Sequence, residues 1–427
     1  GLRRRPFPCS TRSAALPGGQ GGPIEGVAMR IRTLLPTLCL LAAACGDGTG
    51  GGDGTTDRCT ITLAPSSNDQ ETVQTAFIEA ASGSTICFEE GIYRFSDELS
   101  ITVPGITVRG VGDAVVFDFA DQEAGANGLH VSGDDFTIEN LAIRNTKGDG
   151  IRVDGVDGAV FRRLHVSWDA GSVTENGAYA VYPVKSSNVL VEDCTVTGAS
   201  DAGIYVGQSR KAVVRRNRVF GNVAGIEVEN TTDAEVYENE VRDNTGGILV
   251  FNLPHLESGL GARTLVRDNR IEANNRANFA PEGNIVALVP AGTGVMLLAA
   301  DQVELRGNEI RGNDSIGVLV LGYGAVTTID PARPPPDDPA YDPYSSGIWI
   351  HGNAFEGNAG APKGLLAAMG PMADVVWDGF DDPALEGTGL CIQNEGATFR
   401  SLNLGETKNT RLGDHDCALE PLPSVSL

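Results

Sequence analysis

Tyrosines, carboxylates and amides recur at matching places in the middle of the chain, between residues 182 and 255. General acid–base chemistry needs one group that removes a proton and another that delivers one. The residues predicted to be catalytic are Tyr182, Lys185, Asp201, Tyr205 and Glu227. The residues predicted to contact a substrate are Gln208, Glu229, Asn230, Asn252 and His255. Together these residues predict a site that catalyses proton transfer.

Two reactions fit these residue types. In β-elimination or epimerisation of a uronate, Tyr205 or Lys185 would be the base and Tyr182 the acid. Lys185 or a metal ion would neutralise the carboxylate of the uronate. The pair Asp201 and Glu227 would instead suit hydrolysis, with one carboxyl as the acid and the other as base or nucleophile.

Two non-catalytic interpretations stay open. Tyrosines on neighbouring strands also form ordinary outward ladders, and the same face could bind a glycan or a protein without reacting. No His, Asp or Glu spacing follows a metal-ligand motif, so no metal site is predicted. A divalent cation such as calcium is the cofactor that the lyase chemistry would use. The identity of a cofactor is left open.

The elements that must position these residues follow from a glycine-aliphatic step that recurs about every 22 residues, as at Gly203, Gly225 and Gly247. Self-similarity at this period predicts a solenoid. The repeat is too short for two helices and a turn, and it contains three short alternating runs, typical of strands. The sequence therefore predicts an all-β fold, a parallel β-helix with three strands in each coil.

Aligning the repeats assigns each position to a side of the strand. The residues predicted to point inward are Val181, Ile204, Ile226 and Ile248, and those predicted to point outward are Tyr182, Tyr205, Glu227 and Leu249. Asparagines in register, such as Asn217 with Asn239 and Asn222 with Asn244, predict stacked turns with a structural role. Insertions at 168–179 and 253–263 bracket the outward face and predict a groove there.

The β-helix is predicted to span 59–370, with a helix near 69–81 as an N-terminal cap and an irregular C-terminal cap at 371–427. Two cysteine pairs, Cys59 with Cys87 and Cys391 with Cys417, are expected to form disulfides in an oxidising compartment. Cys194 is expected to be a buried free thiol. The Pro-rich insertion at 325–346 is expected to be a surface loop without order of its own.

The start of the chain has the features of an export signal. Residues 1–28 lack a pattern and are interpreted as a mis-called leader, and 29–44 resemble a signal peptide with a basic start and an apolar run. Cys45 follows three alanines as in a bacterial lipobox, where it would be lipidated; secretion without lipid is the alternative. Residues 45–58 are rich in Gly and Asp and are expected to be a flexible tether.

The blocks at 176–183, 200–208, 224–230 and 245–252 resemble a family of bacterial β-helix lipoproteins of unestablished function. The N-terminal helix and the following strands resemble the start of pectate-lyase-like proteins. This resemblance implies a right-handed β-helix within the pectate-lyase-like superfamily, whose distant relatives include polysaccharide lyases, epimerases and hydrolases. It implies no single reaction.

The charge limits the partners. With 56 acidic and 32 basic residues the formal net charge is −24, which opposes binding to nucleic acid. The expected partner is therefore a polysaccharide, acidic or otherwise, or another envelope protein. We expect an exported monomer of the bacterial cell envelope that touches the membrane only through a lipid anchor.

Overall fold

The computed structural model describes residues 58–385, 389–405 and 407–427. In these residues the chain winds through three sheets, and every strand pairs in parallel with the equivalent strand of the next coil. The predicted parallel β-helix is therefore confirmed. The predicted leader, the signal peptide, Cys45 and the tether up to residue 57 lie outside the described residues. No helix in the described part of the chain is long and apolar enough to cross a membrane.

The three sheets each take one strand from successive coils. The first sheet contains Ile61–Leu63, Thr85–Phe88, Thr107–Gly110, Phe136–Glu139, Asp157–Arg162, Ser187–Glu192, Arg210–Arg215, Thr232–Tyr237, Ala262–Arg267, Asp301–Arg306, Ser346–His351 and Leu390–Gln393. The second sheet contains Leu99–Ile101, Asn127–Val131, Asp149–Asp154, Tyr179–Val184, Ala202–Gly207, Ala224–Glu229, Gly246–Phe251, Thr293–Leu298, Ile316–Leu321, Val375–Trp377 and Phe399–Ser401. The third sheet contains Gly91–Arg94, Val115–Asp118, Ala142–Arg144, His165–Ser167, Thr195–Thr197, Arg218–Phe220, Glu240–Arg242, Arg270–Glu272, Glu309–Arg311 and Ala354–Glu356.

The interior is built from aliphatic columns. Ile204, Ile226 and Ile248 are direct partners on neighbouring strands and are fully buried, as predicted. The glycine before each isoleucine is needed because neighbouring side chains and the next coil approach it too closely to leave room for a Cβ. A Cβ on Gly225 would lie 2.5 Å from Val241 Cγ1 and 2.7 Å from the Gly247 carbonyl oxygen. The recurring step is therefore a packing requirement of the coil.

The asparagine ladders satisfy the turns between strands. Asn217 Nδ2 donates to Asn239 Oδ1 at 3.0 Å, and Asn222 Nδ2 donates to Asn244 Oδ1 at 3.0 Å. All four side chains are buried. Because a buried amide without partners is costly, these ladders stabilise the stack, and the predicted structural role is confirmed.

Both ends of the stack are covered. Helix α1, Asp69–Glu79, buries Val73 and Phe77 against the first coils, which confirms the N-terminal cap. Strand pairing continues past the predicted boundary at residue 370 and ends with Phe399–Ser401, before the short 3₁₀ helix Leu412–His415. The segment beyond residue 371, predicted to be an irregular cap, thus continues the β-helix for part of its length.

The insertion at 325–346 differs from the predicted loop without order. Its chain begins with helix α2, Tyr323–Ile329, and a third helix, α3, spans Gly364–Ala368. Tyr341 is buried against the ring of Tyr323, and its hydroxyl donates to the Asn252 carbonyl oxygen at 2.7 Å. Buried aromatic anchors thus order this insertion, and the expectation of an unordered loop is wrong.

The disulfides are those predicted. Cys59 is bonded to Cys87, and Cys391 is bonded to Cys417. Cys194 is a free, buried cysteine, and burial raises the pKa of its thiol to about 12. A thiol with such a pKa carries almost no thiolate at neutral pH, so Cys194 is a packing residue.

Candidate functional site

Three tyrosine rings meet on the outer face of the second sheet. The ring centroids of Tyr179 and Tyr182 are 4.5 Å apart, those of Tyr179 and Tyr205 are 4.5 Å apart, and those of Tyr182 and Tyr205 are 5.0 Å apart. Tyr179 and Tyr182 are partly exposed, whereas Tyr205 is buried. The Arg152 guanidinium lies over the Tyr182 ring, 5.2 Å from its centroid. Tyr179 and Tyr182 thus present aromatic surface at the edge of the group.

Four carboxyl groups surround the tyrosines. Tyr205 is the register partner of Glu227, and its hydroxyl donates to Glu229 Oε1 at 2.6 Å. Asp149 Oδ1 accepts a hydrogen bond from the Tyr179 backbone N–H at 3.1 Å. We call these residues the acid–tyrosine cluster: Asp149, Tyr179, Tyr182, Asp201, Tyr205, Glu227 and Glu229.

Burial shifts the acids toward their protonated forms. It raises the pKa of Asp201 to about 7, with Glu229 adding charge repulsion. It also raises the pKa of Asp149 to about 6 and that of Glu227 well above its usual range. Because like charges placed together in a dry environment repel, these carboxyls share protons near neutral pH.

Two oxygen atoms in this cluster lack a hydrogen-bond partner. They are Asp201 Oδ1 and Glu227 Oε2, and both are buried. Asn284 Nδ2 lies 3.5 Å from the other oxygen of Asp201, and the Tyr179 side chain also hydrogen-bonds to this carboxyl. Buried polar atoms in native proteins are nearly always paired, so the two free oxygens mark a place for a ligand or for proton transfer.

The face is not the open groove that the sequence predicts. Tyr205 and Glu227 point outward from the coil as predicted, yet they are only 4% and 1% exposed. Val286 and Val289, from the insertion between Glu272 and Thr293, pack in one apolar cluster with Tyr205 and the outward-facing Leu249. The segment includes the 3₁₀ helix Ile285–Leu288 and covers the face, so the expected exposure of these positions is wrong.

Lys185 lies apart from the acids. It occupies the turn after the strand Tyr179–Val184, and its Nζ binds Glu257 Oε2 at 2.6 Å on the surface. This hydrogen bond raises the pKa of Lys185, so the amine stays protonated at neutral pH and has no lone pair with which to accept a proton. The structure thus does not bring Lys185 together with Asp201 and Tyr205.

The two asparagines predicted to contact a substrate, Asn230 and Asn252, instead form hydrogen bonds that hold a loop in place. Asn230 Nδ2 donates to the carbonyl oxygens of Leu253 and Gly259, and Asn252 both donates to and accepts from Gly261. Both asparagines are buried. Their hydrogen bonds fix the insertion that follows Phe251, so their placement favours a structural role over substrate contact.

The two remaining predicted contacts also lie outside the cluster. His255 is exposed, and its Nε2 lies 2.9 Å from Asp337 Oδ1, which links two insertions. Gln208 stands in the turn after the strand Ala202–Gly207 and donates its backbone N–H to the Glu229 carbonyl oxygen. Of the five predicted contact residues, Glu229 is the one that joins the cluster.

Sequence reasoning missed Asp149, Tyr179 and Asn284. Asp149 directly precedes the glycine-aliphatic step at Gly150, whereas Asp201 stands two residues before Gly203, so the repeat places both near the start of their strands without aligning them. Asn284 lies in an insertion without a repeat, and the sequence carries no signal for it. Across residues 58–385, 389–405 and 407–427, no group of three or more His, Cys, Asp or Glu is arranged to hold a metal ion.

The cluster predicts how stability depends on pH. A carboxyl with a raised pKa in the folded state stabilises the fold below its unfolded pKa near 4, and this contribution is lost as pH rises through the folded value, here about 6 to 7 for Asp149 and Asp201. Glu192, held by arginines despite its burial, has a pKa lowered to about 2, so its contribution is lost toward acid pH. We expect stability to be highest near pH 4, where the two windows meet, and to fall as the pH rises to 8.

The measurement is urea unfolding at pH 5 and pH 8. Asp201→Asn cannot ionise, so it should reduce the loss of unfolding free energy between the two pH values, by on the order of 1–3 kcal/mol. Glu282→Gln, at an exposed position of the covering insertion, is the matched control and should behave as the parent. Equal losses in the parent and in Asp201→Asn would show that Asp201 does not titrate with a raised pKa.

Part of the chain matches a known family of β-helix proteins. Residues 124–260 match a family model described as the right handed beta helix region. No curated protein matches the chain.

Solved structures show a low similarity. The A-module of a mannuronan C-5 epimerase from Azotobacter vinelandii is 15% identical, over 78% of this chain and 90% of that chain, with a TM-score of 0.44. A polygalacturonase from Erwinia carotovora ssp. carotovora is 10% identical, over 74% of this chain and 97% of that chain, with a TM-score of 0.47. Similarity of this degree does not extend to function. The strand pairing and the family match together identify the described part of the chain as a right-handed parallel β-helix.

Proposed function

We propose that this protein hydrolyses glycosidic bonds of a polysaccharide at the acid–tyrosine cluster. The observation that carries the proposal is the pair Asp201 and Glu227, two buried carboxyls that each keep one oxygen without a partner. Glycoside hydrolysis uses two carboxyls, one protonated to assist the leaving oxygen and one ionised to act as base or nucleophile. A cluster of acids that share protons supplies both forms at the same pH.

We assign the two roles from how fully each carboxyl is enclosed. Glu227 is fully enclosed and its pKa is raised well above its usual range, so it is the general acid. Asp201, with a pKa of about 7, ionises more readily and is the base or nucleophile. Tyr205 donates to Glu229, which holds Glu229 in place beside the pair.

Hydrolysis fits the charges better than the lyase or epimerase chemistry. Removing a proton next to a uronate carboxylate requires a cation at that carboxylate. Lys185, the predicted cation, is paired with Glu257 at the surface, and the guanidinium of Arg152 beside Tyr182 is paired with Asp154. A neutral sugar unit would avoid repulsion by these acids, and its apolar face can stack on the partly exposed rings of Tyr179 and Tyr182.

Access requires the covering insertion to move. The segment meets Asp201 through the long hydrogen bond from Asn284 and packs on the face through Val286 and Val289. Its backbone is also held by hydrogen bonds from Arg333 Nη2 to the Gly283 carbonyl oxygen at 2.8 Å and from Thr174 Oγ1 to the Phe279 carbonyl oxygen at 2.9 Å. A local opening of the segment must break these contacts while the coils beneath it stay folded. A sugar chain would then enter past Tyr182, at the edge of the cluster.

The test is incubation of the purified protein with neutral and acidic polysaccharides, with assays for reducing ends and for unsaturated products. We expect new reducing ends without unsaturated products, strongest on a neutral glycan. Unsaturated products would overturn hydrolysis in favour of the lyase mechanism. Binding without any turnover would instead show a glycan-binding module.

A further inference from the structure

A cavity lies on the same outer face, towards the C-terminal coils. It encloses about 270 Å³ between the covering insertion and helices α2 and α3. Met296 and Leu319, register partners on neighbouring strands, line its floor, and Val326 and Leu366 line its walls. Every lining side chain except that of Thr328 is aliphatic, proline or methionine. The cavity therefore offers dispersion contacts and almost no hydrogen bonds.

The lining chemistry selects the ligand. A cavity without aromatic rings or charged groups in its wall has no feature that recognises a sugar ring, a nucleotide or an ion. A flexible aliphatic chain can fill such a space and bury its methylene groups. A methylene group is close in size to a water molecule, which takes up roughly 30 Å³, so the cavity holds about nine carbons.

The mouth of the cavity supports a ligand that enters from solvent. Leu365 is 54% exposed and Ile329 is 39% exposed, and both line the cavity. A chain inserted between them would remove these apolar surfaces from water, while a polar headgroup would remain outside. We propose that this cavity binds the alkyl or acyl chain of a small amphiphile, a role that does not depend on the reaction at the acid–tyrosine cluster.

The floor of the cavity lies two strands away from Glu227 of the acid–tyrosine cluster. Glu227 is paired in register with Leu249, and Leu249 is paired with Met296 on the cavity floor. Two strand spacings amount to roughly 10 Å. Ile285 lines the cavity, whereas its neighbour Asn284 contacts Asp201, so one insertion borders both places. Occupation of the cavity therefore bears directly on the segment that covers the acids.

The experiment is calorimetric titration with alkyl glucosides from hexyl to dodecyl, each as a monomer below its micelle concentration. We expect affinity to rise about fourfold for each added methylene group and to level off near nine carbons, where the cavity is full. Glucose alone should not compete with the alkyl glucosides. Absence of binding, or affinity that rises without a limit as on a flat apolar surface, would overturn the proposal.

Two variants locate the binding. Leu365→Glu places a charge at the mouth, and Met296→Trp fills the floor; each should weaken binding of nonyl glucoside at least tenfold. Ile78→Glu, at a 68% exposed position on α1, is the matched control and should bind as the parent does. Because Leu365 is exposed, its variant should fold, which a thermal melt would verify. Equal binding by the parent and a folded Leu365→Glu would place the ligand elsewhere and refute the assignment.

Discussion

Replacing Ile226 with Asp should unfold the coils around it and lower the unfolding free energy by on the order of 5 kcal/mol. Ile226 is fully buried between Ile204 and Ile248. The substitution removes apolar contacts to both neighbours and places a carboxylate in a column of aliphatic side chains. An unpaired charge there can be relieved only by protonation or by opening the coil. Urea unfolding followed by circular dichroism measures the loss.

The matched control is Lys211→Asp, on the strand Arg210–Arg215 of the first sheet. Lys211 is exposed and has a φ of 52°, a conformation that Asp tolerates. It should change the unfolding free energy by about 0.5 kcal/mol or less. If Ile226→Asp were as stable as this control, the interior column would not be the core that the fold requires.

Replacing Glu227 with Gln should lower the rate of glycan hydrolysis about 10²- to 10⁴-fold. Gln has nearly the same shape but carries no carboxyl proton to give to the leaving oxygen. Asp201→Asn should have an effect of similar size, and the double variant should lose little more, since the two groups act as a unit. The readout is release of reducing ends from the best glycan, with the folding of each variant checked by its melting temperature.

The substitution Lys185→Ala distinguishes hydrolysis from a lyase or epimerase mechanism. Lys185 is exposed and bound to Glu257, away from the acids, so its loss should change the rate of hydrolysis less than tenfold. The same substitution would abolish a lyase or epimerase reaction that used Lys185 as base or as the neutralising cation. A full rate in Glu227→Gln combined with a large loss in Lys185→Ala would therefore contradict hydrolysis by the cluster.

The fold could be predicted because its determinants are local and repeated. Ile204, Ile226 and Ile248 recur at one period, and alternation along a strand fixes which side chains point inward. The buried asparagine pairs, such as Asn217 with Asn239, follow from the same register. The structure of one repeat therefore predicts that of the next, and the sequence alone is enough to align them.

The state of the outward face could not be predicted in this way. The sequence places Tyr205 and Glu227 on that face, but it does not show that Val286 and Val289 from a distant insertion cover them. Insertions lack the period, so their packing depends on contacts far apart along the chain. The pairing of Lys185 with Glu257 is of this kind, as is the contact of Asn284 with Asp201. The residue types of the site were therefore predictable, and their burial was not.

The central claim is that Glu227 keeps its proton near neutral pH. Infrared spectroscopy detects it directly, because a protonated carboxyl group and an ionised one absorb at different carbonyl frequencies. The difference spectrum between the parent and Glu227→Gln at pH 7 should contain a band of a protonated carboxyl group, since burial raises the pKa of Glu227 well above its usual range. A difference spectrum that contains only ionised carboxylate bands at pH 7 would contradict the assignment of Glu227 as the general acid.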